Sequence, residues 1–285
     1  SRWSRAGRPK DAGPSGASVV LDGSGSYDPE GSNLTYIWTW DGGSAEGVNP
    51  TVTLPFGTTE ITLTVSDGES TATDTVNITV QDTIPTITTA TGGSGSWYNT
   101  NVISTFSASD SCSGVKDVHY TVNGTETVIP DSSASYIITT EGTNNITYYA
   151  VDNAGNTESP NSFIVKIDKT SPSGSVLINN DAVLTNSTSA ILTISSTDNL
   201  SGISQMRFSN DGISWSVWET YNTAKNWTLS NASDLMTVYV QFIDNVGNVS
   251  VSYSDTIYMD TDNDGIYDSV DNCPNVNNPL QEDRN

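Results

Sequence analysis

The chain has 285 residues, 33 acidic against 10 basic, a formal net charge of −23, two cysteines and one histidine. That balance excludes a nucleic-acid-binding surface, which needs Lys and Arg to neutralise phosphate, and argues against docking on anionic lipid. A lone histidine with no nucleophile pattern beside it argues against a hydrolytic triad, and no run reaches the ~20 apolar residues of a membrane-spanning helix.

Residues 1–10 carry four of the basic side chains and fit no strand pattern; they read as a disordered or foreign lead. From residue 11 on, short runs rich in Thr, Val, Ile, Tyr and Trp alternate with Gly, Asn, Asp and Ser. That is the pattern of short strands joined by tight turns. In the first module, residues 11–81, Tyr36, Trp38 and Trp40 alternate with Ile37 and Thr39 and so share one sheet face. Trp on that face fills a sandwich core or, as the sharper alternative, stacks on a sugar. The module ends on Val76, Ile78, Val80 and then Asp82-Thr-Ile-Pro85.

The second module, 82–168, ends the same way, with Phe163, Val165 and Ile167 before Asp168. The third, 169–259, ends on Ile257 and Met259 before Asp260. The intervals between these aspartates, 86 and 92 residues, are the size of one β-sandwich module. Inside both later modules Asp-x-x-Ser-Gly (Asp110 to Gly114, Asp198 to Gly202) precedes Asp-Asn-x-Gly-Asn (Asp152 to Asn156, Asp244 to Asn248). Asp accepts a backbone N–H and Gly supplies positive φ, so these read as turn scaffolding. Cys112 reads as a small buried apolar residue and His119 as a surface or edge residue on a strand. Trp215 and Trp218 lie three apart, so a strand cannot bury both on one face. They are candidate carbohydrate contacts, with core and turn packing as the alternative.

Residues 260–271 hold carboxylates at loop positions one, three, five, nine and twelve and Gly265 at six. That spacing wraps a twelve-residue loop around calcium. Asp260, Asp262, Asp264, Asp268 and Asp271 are the candidate side-chain ligands, and Ile266 offers its backbone carbonyl. Oxygen-only ligands favour calcium over zinc. The run before the loop alternates like a strand, and Asn272-Cys-Pro-Asn-Val-Asn-Asn-Pro279 after it is rich in helix breakers, so the flanks are not those of an EF-hand.

Three family resemblances attach to these residues. Leu21-Asp-Gly-Ser-Gly-Ser-Tyr-Asp-Pro29, Leu34-Thr-Tyr-Ile-Trp-Thr-Trp-Asp41 and Ile61-Thr-Leu-Thr-Val-Ser-Asp-Gly68 resemble a PKD-type Ig-like domain, although Asp41-Gly-Gly43 replaces that family's usual turn after Trp. Residues 82–259 resemble bacterial and archaeal Ig-like repeats, which occur in surface proteins and beside carbohydrate-active enzymes. Residues 260–283 resemble the start of thrombospondin type 3 repeats. That resemblance implies calcium held by the same five aspartates and Cys273 as half of a disulfide, with Asp283 and Asn285 opening a further loop.

The expected fold is all-β: tandem Ig-like β-sandwiches followed by an irregular, calcium-wrapped aspartate-rich repeat. The expected function is a non-catalytic, extracellular calcium-binding adhesion or spacer segment of a cell-surface or secreted protein. Its partners would be calcium and a cell-surface glycan or protein. The alternative is a carbohydrate-binding accessory region of a polysaccharide-degrading enzyme.

Overall fold

The computed structural model describes residues 16–230 and 234–282. The expectations for residues 1–10, Asp283 and Asn285 lie outside the described residues. Among those described, every regular element is a β-strand. The chain divides into two compact units. One comprises Ser1–Ser94, Ile103–Ile137 and Asn145–Ile164; the other comprises Gly95–Val102, Ile138–Asn144 and Val165–Asn285.

The first module contains β1 (Ala17–Val20), β2 (Thr35–Trp40), β3 (Gly43–Glu46), β4 (Thr51–Leu54), β5 (Gly57–Ser66) and β6 (Thr71–Val80). They form a pair β1-β4 and a four-stranded sheet β3-β2-β5-β6. Alternation along β2 turns Trp38 inward, where it is fully buried among Leu54, Ile61 and Ile78. Its indole Nε1 donates to the Gly47 carbonyl at 2.9 Å, which satisfies the ring's one polar group. Trp40 is partly buried against the same core. It lies so close to Gly43 that a Cβ there would meet the indole at 2.6 Å. Both rings are therefore core groups of this sandwich.

The second module has β7 (Ile87–Thr91), β8 (Trp97–Tyr98), β9 (Val102–Ser109), β10 (Val115–Val122), β11 (Thr125–Ile129), β12 (Ser133–Ile138), β13 (Gly142–Asp152) and β14 (Asn161–Ile167). The third has β15 (Ser173–Ile178), β16 (Leu184–Thr185), β17 (Ser189–Thr197), β18 (Ile203–Ser209), β19 (Glu219–Thr220), β20 (Ala224–Thr228), β21 (Leu235–Asp244) and β22 (Tyr253–Met259). Their topologies match strand for strand. A three-stranded sheet, β12-β9-β7 or β15-β17-β20, accompanies a five-stranded one, β11-β10-β13-β14-β8 or β16-β22-β21-β18-β19. In each, the short strand at the sheet's edge pairs parallel with the last strand of the module. Each also carries a bulge at the start of the equivalent strand, at Lys116 in β10 and Ser204 in β18.

Period-two alternation sets the cores. In β9 it buries Val102, Ser104, Phe106 and Ala108; in β21 it buries Met236, Val238, Val240 and Phe242. The same alternation carries the last residues of β13 and β21, Asp152 and Asp244, inside. A buried carboxylate must find hydrogen bonds, and both find them in the turn that follows. Asp152 accepts from Asn156 N–H at 2.8 Å and Asn156 Nδ2 at 2.7 Å. Asp244 repeats both contacts with Asn248, at 2.9 and 2.7 Å.

Two minor expectations change. His119 lies in β10 between β11 and β13 rather than at an edge. Its ring nitrogens face Asp117 Oδ1 at 2.9 Å and Glu126 Oε1 at 3.0 Å, and it stacks on Tyr149. The hydrogen bond from His119, and next that from Tyr149, holds the Glu126 carboxyl below its ordinary value. Cys112 is half-buried in the Asp110 turn, its N–H donating to Asp110 Oδ2, because the turn places it at the rim of the core. Neither cysteine is in a disulfide.

Candidate metal centre

Three acidic groups bring ligand atoms close together among the described residues: Asp82, Asp110 and Cys112; Asp168, Asp198 and Asp244; and Asp260, Asp262 and Asp264. Each contains one of the three periodic aspartates. They differ in how their oxygens are satisfied.

In the first two groups backbone donors serve the carboxylates. Asp82 accepts from Ile84 and Ser113 N–H, and Asp110 from Cys112 and Gly114 N–H. Asp168 accepts from Thr170 and Ser201 N–H, and Asp198 from Leu200 and Gly202 N–H. The side-chain amides of Asn156 and Asn248 then donate to the backbone carbonyls of Asp82 and Asp168, at 3.1 and 3.0 Å. Both signature motifs of a module thus converge on the aspartate that closes the module before it. Sequence reading identified the turns and missed this convergence.

Asp168→Ala would strip acceptors from two N–H groups, an expected loss of about 1–3 kcal/mol for leaving donors unsatisfied. Calorimetric unfolding of the variant checks it; an unshifted transition would make the junction contacts dispensable.

The third group begins where β22 ends. Asp260 N–H donates to Thr185 O at 2.9 Å, as Asp168 N–H donates to Tyr98 O at 2.8 Å. The Asp260 carboxylate is buried and accepts from Asp264 and Gly265 N–H. Asn263 at φ 61° and Gly265 at φ 98° make the sharp reversal that brings Asp260, Asp262 and Asp264 together. The loop is anchored on the third module. Asp268 N–H donates to Met259 O at 2.9 Å, Ser269 Oγ to Asp234 Oδ2 at 2.7 Å, and the Tyr258 and Tyr267 rings pack at 4.6 Å.

The electrostatics here are unlike those of the other groups. Both oxygens of Asp262 and Oδ2 of Asp271 are buried with no hydrogen-bond partner, and Asp271 is 9% exposed. Burial, then the charges of Asp264, Asp271 and Asp260, push the Asp262 carboxyl above its ordinary value. Acceptor-only oxygens of this kind need a donor or a cation. The donor set, all oxygen, fits a hard divalent cation such as calcium. Of the expected ligands, Asp260, Asp262 and Asp264 come together, and the charge of Asp271 bears on Asp262. Asp268 turns both oxygens to Thr261, accepting from its N–H at 2.7 Å and its Oγ1 at 2.6 Å. Ile266 N–H donates to Asp264 Oδ1 at 2.9 Å.

Trp215 and Trp218 are both half-buried. The Arg207 guanidinium carbon lies 4.9 and 4.6 Å from their ring centroids, and the same guanidinium donates twice to Gln241 Oε1. The pair therefore clasps one cation, which ties the 210–218 loop to β18 and β21. Arg207, eight and eleven residues upstream, gave no signal in the spacing.

Comparison with known proteins bears on the first module most directly. Residues 6–80 match the family model of the PKD domain. The PKD match spans β1 to β6, with Trp38 at the centre of its core. Among solved structures, the titin I-band fragment I67–I69 is 12% identical over 79% of this chain and 87% of that one, with a TM-score of 0.41. The full ectodomain of mouse nectin-like molecule 4 is 10% identical over 86% and 95%, TM-score 0.37. The fibronectin(III)-like modules of Clostridium thermocellum CbhA are 15% identical over 61% and 94%, TM-score 0.32. No curated protein matches the chain.

Proposed function

We propose that the chain is a non-catalytic, extracellular segment of a cell-surface or secreted protein, a spacer or adhesion array that ends in a calcium-binding loop. Tandem sandwiches beginning with a PKD-matching module suit a spacer. The observation that carries the calcium reading is the set of buried, partnerless carboxylate oxygens on Asp262 and Asp271 beside Asp260 and Asp264. Mutual repulsion opposes that arrangement until a divalent ion neutralises it. Extracellular modules bind calcium at ~10⁻⁴–10⁻³ M. At ten times the dissociation constant the bound ion stabilises its loop by about 1.4 kcal/mol.

Calorimetric titration of calcium into the full chain tests this. A saturable heat in the millimolar range is expected, abolished by Asp262→Ala. No heat from the unmodified chain, or the same heat from the variant, refutes the reading.

Carbohydrate contact at Trp215 and Trp218 has less support, because Arg207 already covers one face of each indole.

A further inference from the structure

We infer that Asn278 is a ligand of the same ion, through its side-chain carbonyl, so that filling the loop fastens the segment 272–281 onto it. The inference rests on the calcium reading above and adds a residue that lies outside the twelve-residue spacing.

Four observations carry it. Asn278 Oδ1 is buried and has no hydrogen-bond partner, as is true of both oxygens of Asp262 and of Oδ2 of Asp271. The Asn278 N–H donates to Asp264 Oδ2 at 3.0 Å, which seats the residue one hydrogen bond from the acidic cluster. Its amide orientation is fixed: Nδ2 donates to Asn272 Oδ1 at 2.6 Å, and Asn272 is itself oriented by donating Nδ2 to Gln281 O at 2.9 Å. Asp271 Oδ1 is occupied by Cys273 N–H and Gln281 Nε2, which leaves its Oδ2 as the partnerless atom.

The chemistry is consistent. Calcium takes six to eight oxygens, neutral carbonyls among them. Asp268, the expected ninth-position ligand, is engaged by Thr261 in this structure. An oxygen from Asn278 adds to the shell without adding another negative charge. It also gives the segment after the loop, which has no strand partner, a reason to lie against Asp264 and Asp271.

Calcium titration of the full chain, comparing Asn278→Ala and Asn278→Asp with the unmodified protein, tests the inference. Asn278→Ala is expected to weaken binding roughly tenfold, the scale on which residues supporting a metal site act. Asn278→Asp keeps an oxygen in place but loses the amide donor to Asn272, and is expected to bind at least as tightly as the unmodified chain. If alanine leaves affinity unchanged, Asn278 is no ligand. If aspartate is as weak as alanine, the residue acts only through Asn272, and the inference fails while the calcium site stands. If the unmodified chain takes up no calcium, both fall together.

Discussion

Trp38→Ala is expected to destabilise the first sandwich by ~3–5 kcal/mol, the range for emptying a buried aromatic site. The ring is fully buried, and its loss would leave a void between the two sheets and remove the indole donor to the Gly47 carbonyl. Trp38→Phe separates the two contributions. It keeps most of the volume and forfeits the indole hydrogen bond, worth about 1 kcal/mol. Calorimetric unfolding should show the transition of the first sandwich falling steeply for alanine and modestly for phenylalanine. Equal, small shifts for both would mean that the core closes over the gap and that Trp38 is not its centre.

The second large effect concerns the loop. With calcium chelated by EDTA, cleavage after Met259 by papain, a protease that needs no metal, should rise about tenfold relative to calcium at ten times its dissociation constant. The upstream sandwiches should resist equally in both conditions, because their buried carboxylates are held by backbone N–H groups. Asp168 and Asp244, for example, accept from Ser201 and Asn248. At Asp262 both carboxylate oxygens are buried with no hydrogen-bond partner. Identical digestion with and without chelator would count against a calcium-held loop.

Much of this was legible in the sequence where the interaction is local. Alternation placed Trp38 on a buried face, and the Asp-Asn-x-Gly-Asn spacing marked both turns, with Gly155 and Gly247 at φ 92° and 95°. The periodic aspartates marked the ends of β14 and β22. What escaped was long-range. Asp168 meets Ser201 and Asn248 across 33 and 80 residues, and only the strand order brings them together. Arg207 reaches Trp215 and Trp218 across a loop whose path no periodicity encodes. Within the acidic loop the spacing named Asp260, Asp262, Asp264, Asp268 and Asp271 alike. It carried no information on hydrogen bonding, which occupies Asp268 and leaves Asp262 bare. Asn278, fourteen residues beyond Asp264, lay within the run that resembles a thrombospondin type 3 repeat but outside the twelve-residue spacing from which the ligands were read.

The backbone bond from Asp168 to Tyr98 recurs from Asp260 to Thr185, and each joins the aspartate just past a module's last strand to that module's short edge strand. The main-chain seat of the aspartate is therefore made within its own module, while its carboxylate and carbonyl are left for the residues that follow, as Ser201 and Asn248 show at Asp168. A copy of either later module would bring this seat with it, and the acidic loop would find at its edge strand the same carbonyl that Thr185 offers Asp260.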